Sequence, residues 1–137
     1  SERYDNTFSF LMIDVDHFKL INDQYGHPVG DKVLKMLTKT IQSMTRADDL
    51  FGRIGGEEFA IILPETGLES ARQFAERIRQ TISELSIAID KHNISITVSI
   101  GGMEYNETVK EIQQAMDQAD RALYKAKALG RNRVVFE

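Results

Sequence analysis

The chain contains no cysteine, so disulfide bonds, thiolate nucleophiles and cysteine-ligated metal sites are excluded. Its histidines, His17, His27 and His92, do not form a metal-binding pair at helical spacing. No apolar run approaches the length of a membrane span, and no signal-peptide pattern is present. The formal net charge of −4 argues against bulk nucleic acid as a partner, because nucleic acid favours a basic surface. The net charge does not exclude a nucleotide as a partner, since bound divalent cations invert the sign of a local acidic site.

The length and composition of the chain fit one globular domain. The 137 residues are 42% hydrophobic and 28% charged, which is enough for a core without covalent cross-links. We therefore expect residues 1–137 to form a single domain. Residues 1–7 are polar and lead directly into an apolar run, so we expect the chain to be a fragment of a longer protein.

The most informative stretch is a turn followed by two acids. Gly55-Gly56 separates two runs predicted as strands, 48–54 and 59–63, and a two-residue glycine loop is typical of a hairpin whose turn needs positive φ. Glu57 and Glu58 follow, where strands usually carry β-branched or aromatic residues. Adjacent carboxylates repel unless solvent, a cation or a proton separates them. The pair therefore indicates either a charged hairpin tip in water or a cation site.

A second pair of acids ends the first strand. Residues 8–13 form a nearly continuous apolar run, as expected of a buried central strand, and Asp14-Val15-Asp16 follows. This strand end fits a ligand site and solvated charges equally well. Further predicted elements are helices at 17–25, 28–44, 71–85 and 108–130, the last with Thr108 and Glu111 as a capping box, and strands at 87–90, 94–100 and 134–136.

The order of elements predicts an α+β fold, a ferredoxin-like βαββαβ core with an extra hairpin and helices on one face of a mostly antiparallel sheet. Right-handed crossovers place the third core strand between the first and second, antiparallel to both. Asp14 at the end of strand one then lies beside Glu57 at the start of strand three. Because neighbouring strands are about 5 Å apart, these carboxylates can share a cation.

Oxygen ligands without histidine or cysteine favour Mg²⁺ or Mn²⁺, and acids holding two such ions are typical of in-line nucleotidyl transfer. Lys127 and Arg131 lie four residues apart near the end of the last helix, where they could bind a triphosphate. Taken alone, the two residues are better explained by favourable interaction of cations with the helix C-terminus.

Four sequence blocks resemble the signatures of the GGDEF domain of diguanylate cyclases, in order and at the family's spacing. They are Leu-Met-Ile-Asp-Val-Asp-His-Phe-Lys-Leu-Ile-Asn-Asp-Gln-Tyr-Gly-His-Pro-Val-Gly-Asp at 11–31, Gly-Gly-Glu-Glu-Phe at 55–59, Val-Ser-Ile-Gly at 98–101 and Ala-Asp-Arg-Ala-Leu-Tyr-Lys-Ala-Lys-Ala-Leu-Gly-Arg-Asn at 119–132. The resemblance implies a palm-like nucleotidyl cyclase core and condensation of two GTP molecules to cyclic di-GMP plus two pyrophosphates. Each 3′-hydroxyl would attack an α-phosphate across a homodimer, with two Mg²⁺ or Mn²⁺ ions in each active site.

The resemblance also implies roles for the acids and for the phosphate-binding residues. Asp14 and Glu57 would bind the metal ions, with the Val15 carbonyl assisting. Glu58 would be either a further metal ligand or a group near the attacking 3′-hydroxyl. The residues implied around the phosphates are Phe18, Lys19, Lys127 and Arg131.

Asn22 and Asp31 would bind the guanine base. A carboxylate accepts from N1–H and N2–H₂ of guanine together, whereas adenine presents an acceptor at N1 and would leave the charge unpaired. The alternative for Asp31 is a structural cap of the following helix. Arg46 and Asp49 form an RxxD pattern that resembles the family's inhibitory cyclic di-GMP site, with Arg77 contributing from the next helix; the alternative is a surface ion pair.

The sequence departs from the family at its start, where the usual DxLTGLxNRR stretch and its helix are absent. We expect the parent protein to be cytoplasmic or membrane-tethered, and to carry an N-terminal sensory or dimerisation domain. Three alternatives stay open. They are a catalytically silent GGDEF-like receptor that binds cyclic di-GMP through the RxxD site, a palm-type cyclase or polymerase using another nucleotide, and a structural interaction module.

Overall fold

The computed structural model describes residues 7–106 and 111–137 of the chain. The helices are α1 (Phe18–Tyr25), α2 (His27–Met44), α3 (Leu68–Ser83) and α4 (Ile112–Ala128). The strands are β1 (Phe8–Val15), β2 (Leu50–Gly55), β3 (Glu58–Pro64), β4 (Ile87–Ile89), β5 (His92–Ile94), β6 (Val98–Tyr105) and β7 (Val134–Phe136). The predicted order of elements is confirmed.

A five-stranded sheet with the order β2-β3-β1-β6-β7 forms the centre of the fold. All neighbours are antiparallel except β6 and β7, which run parallel. The third core strand, β3, lies between β1 and β2 as predicted. Strands β4 and β5 pair separately as the extra hairpin. The predicted α+β class and mostly antiparallel sheet are therefore confirmed.

Helices cover both faces of this sheet, so the expectation of helices on one face is wrong. Leu11 and Ile13 of β1 pack in the cluster that contains the apolar faces of α1, α2 and α3. Phe10 and Met12 point to the opposite face, where they pack with residues of α4. The physical reason lies in β1 itself, which is apolar at both alternating sets of positions and must be covered on both sides.

Gly101 sets how closely α4 lies against the sheet. A Cβ atom at this position would lie 2.1 Å from the backbone nitrogen of Leu123 and 2.4 Å from the carbonyl oxygen of Ala119. The backbones of β6 and α4 therefore meet directly at Gly101. This close approach brings the C-terminal end of α4 to the end of β1, where the candidate site lies.

Among the predicted boundaries that differ from the structure, two change the pairing of a strand or the capping of a helix. The stretch 94–100 is not one strand: β5 ends at Ile94, where it pairs with Ile87, and β6 begins at Val98. The alternating pattern could not show that its two halves pair with different partners. At the last helix, Thr108 lies outside the described residues, and Glu111 is itself the N-cap of α4 without a side-chain capping bond, so its predicted position inside the helix is wrong.

Candidate active site

The acidic hairpin joins β2 to β3, but its loop is Gly56-Glu57 and not Gly55-Gly56. Gly55 is the last residue of β2 and pairs with Glu58, the first residue of β3, after a register shift that follows Arg53. Among the described glycines only Gly26 and Gly130 have positive φ, so the predicted primed turn at Gly55-Gly56 is wrong. The Arg53 side chain closes the loop, since its Nε donates to the Gly56 carbonyl at 2.8 Å.

Neither Gly55 nor Gly56 is needed for packing among the described residues. A Cβ atom at Gly55 or Gly56 would meet no atom of the described structure within 4 Å, apart from the glycine itself and its chain neighbours. With ordinary φ and open space at both positions, the fold itself places no demand for glycine here. The two glycines leave the backbone uncovered directly beside the carboxylates.

Asp14 lies at the centre of the site, near the C-terminal end of β1. It pairs across the sheet with Glu58, and the next backbone amide, that of Val15, donates to the Glu57 carbonyl at 3.2 Å. The predicted meeting of the first and third strands is therefore confirmed. Asp14 is only 6% exposed, and its Oδ2 accepts a hydrogen bond from the Nζ of Lys127 on α4.

Burial and neighbouring acids raise the pKa values of Asp14 and Glu58. Burial raises the pKa of Asp14, the Lys127 ammonium opposes that rise, and the charge of Glu57 adds to it. Burial likewise raises the pKa of Glu58, followed by the charges of Asp14 and Asp120. The cluster therefore holds more negative charge than Lys127 alone neutralises. Asp120 on α4 was missed by sequence reasoning, although it lies inside the last resembling block.

The residues of the site fit a hard divalent cation. Within the described ranges no three acidic or histidine side chains are gathered closely enough to form a complete metal cage. Mg²⁺ does not need one, because it is usually bound through one or two carboxylates, with water and substrate phosphates as its other ligands. Asp14 and the Glu57-Glu58 pair offer such oxygens at adjacent strand ends, where added positive charge offsets their repulsion.

Asp16, the second acid after β1, has a structural role. It is 5% exposed and accepts hydrogen bonds from Thr97 Oγ1 at 2.7 Å and Ser99 Oγ at 2.6 Å. It also accepts from the backbone amide of Asn132 at 3.0 Å. Its carboxylate thus ties together β1, β6 and the segment after α4, and Asp14 alone of the two acids joins Glu58 at the site.

The same bonds position Arg131, which the sequence implied at the phosphates. Arg131 and Asn132 both have positive φ, 65° and 46°, a conformation that costs a non-glycine residue free energy. Asn132 is held there by the bond to Asp16 and by Arg79, whose Nη1 donates to Asn132 Oδ1 at 2.8 Å. Asn132 and Arg79 are site-supporting residues that sequence reasoning did not find, because the contacts join distant segments.

The proposed guanine residues lie at the junction of α1 and α2. Asn22 is on α1, and its Oδ1 is buried without a hydrogen-bond partner in the described structure. Asp31 is exposed and lies on α2, whose N-cap is Gly26, so the helix-cap alternative for Asp31 is wrong. Phe18 begins α1 and is buried, whereas Lys19 is exposed.

The three residues of the predicted inhibitory site line one cavity of about 280 Å³. These are Arg46, Asp49 and Arg77, and the cavity also includes Thr66 and Phe74. The Asp49 side chain is 2% exposed and Arg46 is 72% exposed, and their closest charged atoms are 4.0 Å apart. Asp49 Oδ2 accepts from the Arg46 backbone amide at 2.7 Å, while its Oδ1 is buried without a partner among the residues that the structure describes.

The family model described as "Diguanylate cyclase, GGDEF domain" matches residues 1–133. The chain belongs to the GGDEF domain family. The predicted family is thereby confirmed for this domain, and its sheet flanked by helices is the palm-like architecture of solved GGDEF domains.

Related proteins and solved structures agree with this family assignment. Diguanylate cyclase A of Treponema denticola is 48% identical over 130 residues, which are 95% of this chain and 35% of the relative. The active GGEEF domain of a diguanylate cyclase from Vibrio cholerae is 41% identical with a TM-score of 0.90, covering 98% of this chain and 85% of that one. The GGDEF domain of DgcB from Caulobacter crescentus, solved in complex with c-di-GMP, is 34% identical with a TM-score of 0.90, covering 95% and 77%. This GGDEF domain spans about a third of the length of the curated relatives it matches.

Within the GGDEF domain, residues predicted for different roles lie together. Asp14, assigned to metal, and Lys127, assigned to triphosphate, form an ion pair, and Glu58 lies across the strand from Asp14. Within residues 7–106 and 111–137, no helix combines the length and the apolar composition needed to cross a bilayer.

The raised pKa of Glu58 gives a stability prediction for the GGDEF domain. Replacing Glu58 by glutamine is expected to raise Tm by about 2 to 4 °C at neutral pH without added metal, because it removes a charge that burial and neighbouring acids disfavour. A raised folded-state pKa means that the penalty is present at neutral pH and disappears as pH falls below the unfolded-state pKa. The gain should therefore shrink on acidification.

Thermal unfolding at several pH values checks this, with Glu84→Gln as a matched control on the exposed C-cap of α3. A gain that stays constant down to acidic pH, or that Glu84→Gln reproduces, would show that the Glu58 charge is not the cause.

Proposed function

We propose that this GGDEF domain condenses two GTP molecules into cyclic di-GMP and releases two pyrophosphates. The observation that carries the proposal is the meeting of Asp14, Glu58 and Lys127 from three remote segments of the chain. Acids at strand ends whose pKa values are raised by burial and by neighbouring carboxylates, beside a cation, form a site suited to divalent metal and phosphate. The named relatives add the chemistry, since they are diguanylate cyclases.

In this proposal the acids hold the metal ions. Asp14 and Glu57 bind two Mg²⁺ or Mn²⁺ ions with help from the Val15 carbonyl, and Glu58 acts as a further ligand or beside the attacking 3′-hydroxyl. Such ions, when bound, stabilise the attacking and leaving oxygens of an in-line displacement. No nucleophile from the protein is required, in agreement with a chain that has no cysteine.

The phosphates are assigned to cationic groups and to the start of α1. Lys127 and Arg131 hold the triphosphate, and Phe18 and Lys19 border it. Arg131 is well prepared for this role, because the bonds of Asn132 fix the backbone conformation around it before any ligand binds. Prepositioned groups lose less conformational entropy on binding.

Guanine is assigned to Asn22 and Asp31. Asp31 is exposed and free of a capping role, so its carboxylate is able to accept from N1–H and N2–H₂ of the base. An adenine would leave that carboxylate opposite an acceptor, and such a mismatch discriminates strongly in a polar site.

Each domain provides one set of these groups, so we infer that a homodimer faces two bound GTP molecules toward each other. A covalently attached N-terminal domain would raise the frequency of productive encounters through effective concentration. GTP as the substrate is consistent with a cytoplasmic location of the domain, including in a parent protein that is tethered to a membrane.

We further infer that cyclic di-GMP inhibits the enzyme by binding in the cavity of Arg46, Asp49 and Arg77. Two features support this inhibitory site. Arg46 is 72% exposed and so can meet a phosphate, and within the described residues Asp49 keeps a buried acceptor oxygen without a partner. A surface ion pair would need neither a cavity nor a buried carboxylate.

The test is GTP turnover with Mg²⁺ at high protein concentration, with products separated by chromatography. Cyclic di-GMP is expected from the unsubstituted domain and not from the Glu57→Gln variant. The Glu84→Gln variant, changed at the exposed end of α3, should retain activity. Equal product from the parent and Glu57→Gln would contradict the assigned metal site.

The cavity with Asp49 also favours a second function, a silent receptor for cyclic di-GMP. A receptor would bind cyclic di-GMP without forming it, and Arg46→Ala would abolish that binding. Product formation by the unsubstituted domain at high protein concentration decides between the two functions.

A further inference from the structure

Gly30 lies in α2, where a glycine is unexpected, because alanine is the better helix former. Its φ is not among the positive values of the described glycines, so the backbone conformation does not require it. Glycine is required at this position because a larger side chain would not fit. A Cβ atom at Gly30 would lie 1.9 Å from Asn22 Oδ1 and 3.0 Å from Asn22 Cγ, distances that a side chain at this position could not keep.

The contact fixes the orientation of the Asn22 carboxamide. Its Oδ1 lies against Gly30, buried and without a hydrogen-bond partner in the described part of the chain. Because a carboxamide is planar, this orientation turns the Nδ2 donor group away from Gly30. The adjacent residue along the chain, Asp31, is an exposed acceptor. Donor and acceptor are therefore held at one helix junction, and guanine presents both kinds of partner.

The backbone of the junction is fixed as well. The amide of Gly26 donates to the Asn22 carbonyl at 2.8 Å, and the amide of Gly30 donates to the Gly26 carbonyl at 3.1 Å. Gly26 has a φ of 94°, which only glycine adopts readily. The tight corner between α1 and α2 thus carries Asn22 against Gly30 and leaves little freedom to relieve a clash by moving either helix.

We propose that Gly30 is a positioning residue for guanine recognition. The missing side chain forms a notch that holds the Asn22 carboxamide in the orientation that donates to the base. The inference rests on the proposed function of Asn22 at the guanine base, and it adds a residue that touches no substrate. Substituting Gly30 therefore weakens nucleotide binding through Asn22.

The experiment measures Mg²⁺–GTP binding by titration calorimetry for Gly30→Ala, Asn22→Ala and the double variant. Gly30→Ala should weaken binding by about 3- to 10-fold, the effect of one hydrogen bond, and the double variant should bind no worse than Asn22→Ala. The matched control is Gly52→Ala, since a Cβ atom there would meet no atom of the described residues within 4 Å beyond its chain neighbours. Additive losses in the double variant would overturn the proposal.

Thermal unfolding keeps the test decisive if Gly30→Ala folds poorly. Removing the Asn22 carboxamide removes the two closest atoms and leaves Phe18 Cζ at 3.2 Å, so the double variant should regain most of the stability that Gly30→Ala loses. A double variant no more stable than Gly30→Ala would show that the alanine disturbs something other than Asn22.

A measurement without nucleotide separates this inference from the proposed function. The side-chain amide NMR signals of Asn22 should shift in Gly30→Ala and stay unchanged in Gly52→Ala. Unchanged signals in Gly30→Ala would overturn the positioning role even in a domain that binds GTP. Shifted signals in a domain that binds no GTP would refute the proposed function and leave the Gly30–Asn22 contact standing.

Discussion

Replacing Lys127 by methionine is expected to lower the free energy of unfolding by about 3 kcal/mol at neutral pH. The variant keeps the apolar stem of the side chain but leaves Asp14, 6% exposed, without its cation. Breaking a buried ion pair is costly because the remaining charge stays desolvated, and the value is at the low end since Lys127 is one-third exposed. Denaturant unfolding measures the loss.

The matched control is Lys125→Met, two residues away on α4. Lys125 is exposed and pairs with Glu137 at 3.1 Å, and such surface pairs contribute about 1 kcal/mol or less. Asp14→Asn combined with Lys127→Met should recover much of the stability, because the stranded charge is gone. Equal losses for the two lysine variants would show that the Asp14–Lys127 pair does not stabilise the fold.

The pH dependence gives a further check on Lys127→Met. Burial raises the pKa of Asp14, and in the variant no cation opposes that rise. Protonation of Asp14 removes the buried charge, so the loss caused by Lys127→Met should shrink as pH falls below neutral. A loss independent of pH would assign the effect to packing of the lysine stem.

Replacing Gly101 by alanine is expected to lower the free energy of unfolding by about 3 kcal/mol or more. The new methyl group would lie 2.1 to 2.6 Å from backbone atoms of Leu123 and Ala119. A side chain could rotate away, but the backbone of a helix cannot, so α4 must move from β6 as a whole. That movement would also separate Lys127 from Asp14 and disturb the candidate active site.

The neighbouring glycine offers the control. At Gly102 a Cβ atom would meet ring atoms of Phe136 at 2.5 Å, and Phe136 lies in the terminal strand β7, where its ring can turn. Denaturant unfolding should therefore rank the losses as Gly101→Ala first, Gly102→Ala second and Gly52→Ala last. An equal loss for Gly101→Ala and Gly52→Ala would show that α4 does not pack on the sheet through Gly101.

The strands and helices were predictable where a local pattern fixes them. The apolar run of β1, the helical spacing of α2 and the hairpin around Gly56 each reflect residues that are close in sequence. Errors arose where a local pattern has two tertiary solutions. The alternation at 94–100 suits one strand or two, and the glycine pair suits a primed turn or the observed Gly56-Glu57 loop.

The sequence by itself determined the acids, their places at strand ends and the family, because these depend on residue type and spacing. Tertiary structure alone decided which groups meet. Asp14 pairs with Lys127, 113 residues away in sequence, and Asp16 accepts a hydrogen bond from Ser99, 83 residues away. The same holds for Gly30, because the clash that a side chain there would make with Asn22 arises only when α2 packs on α1. Such pairings follow from how whole elements pack in space, and no local pattern of residues encodes them.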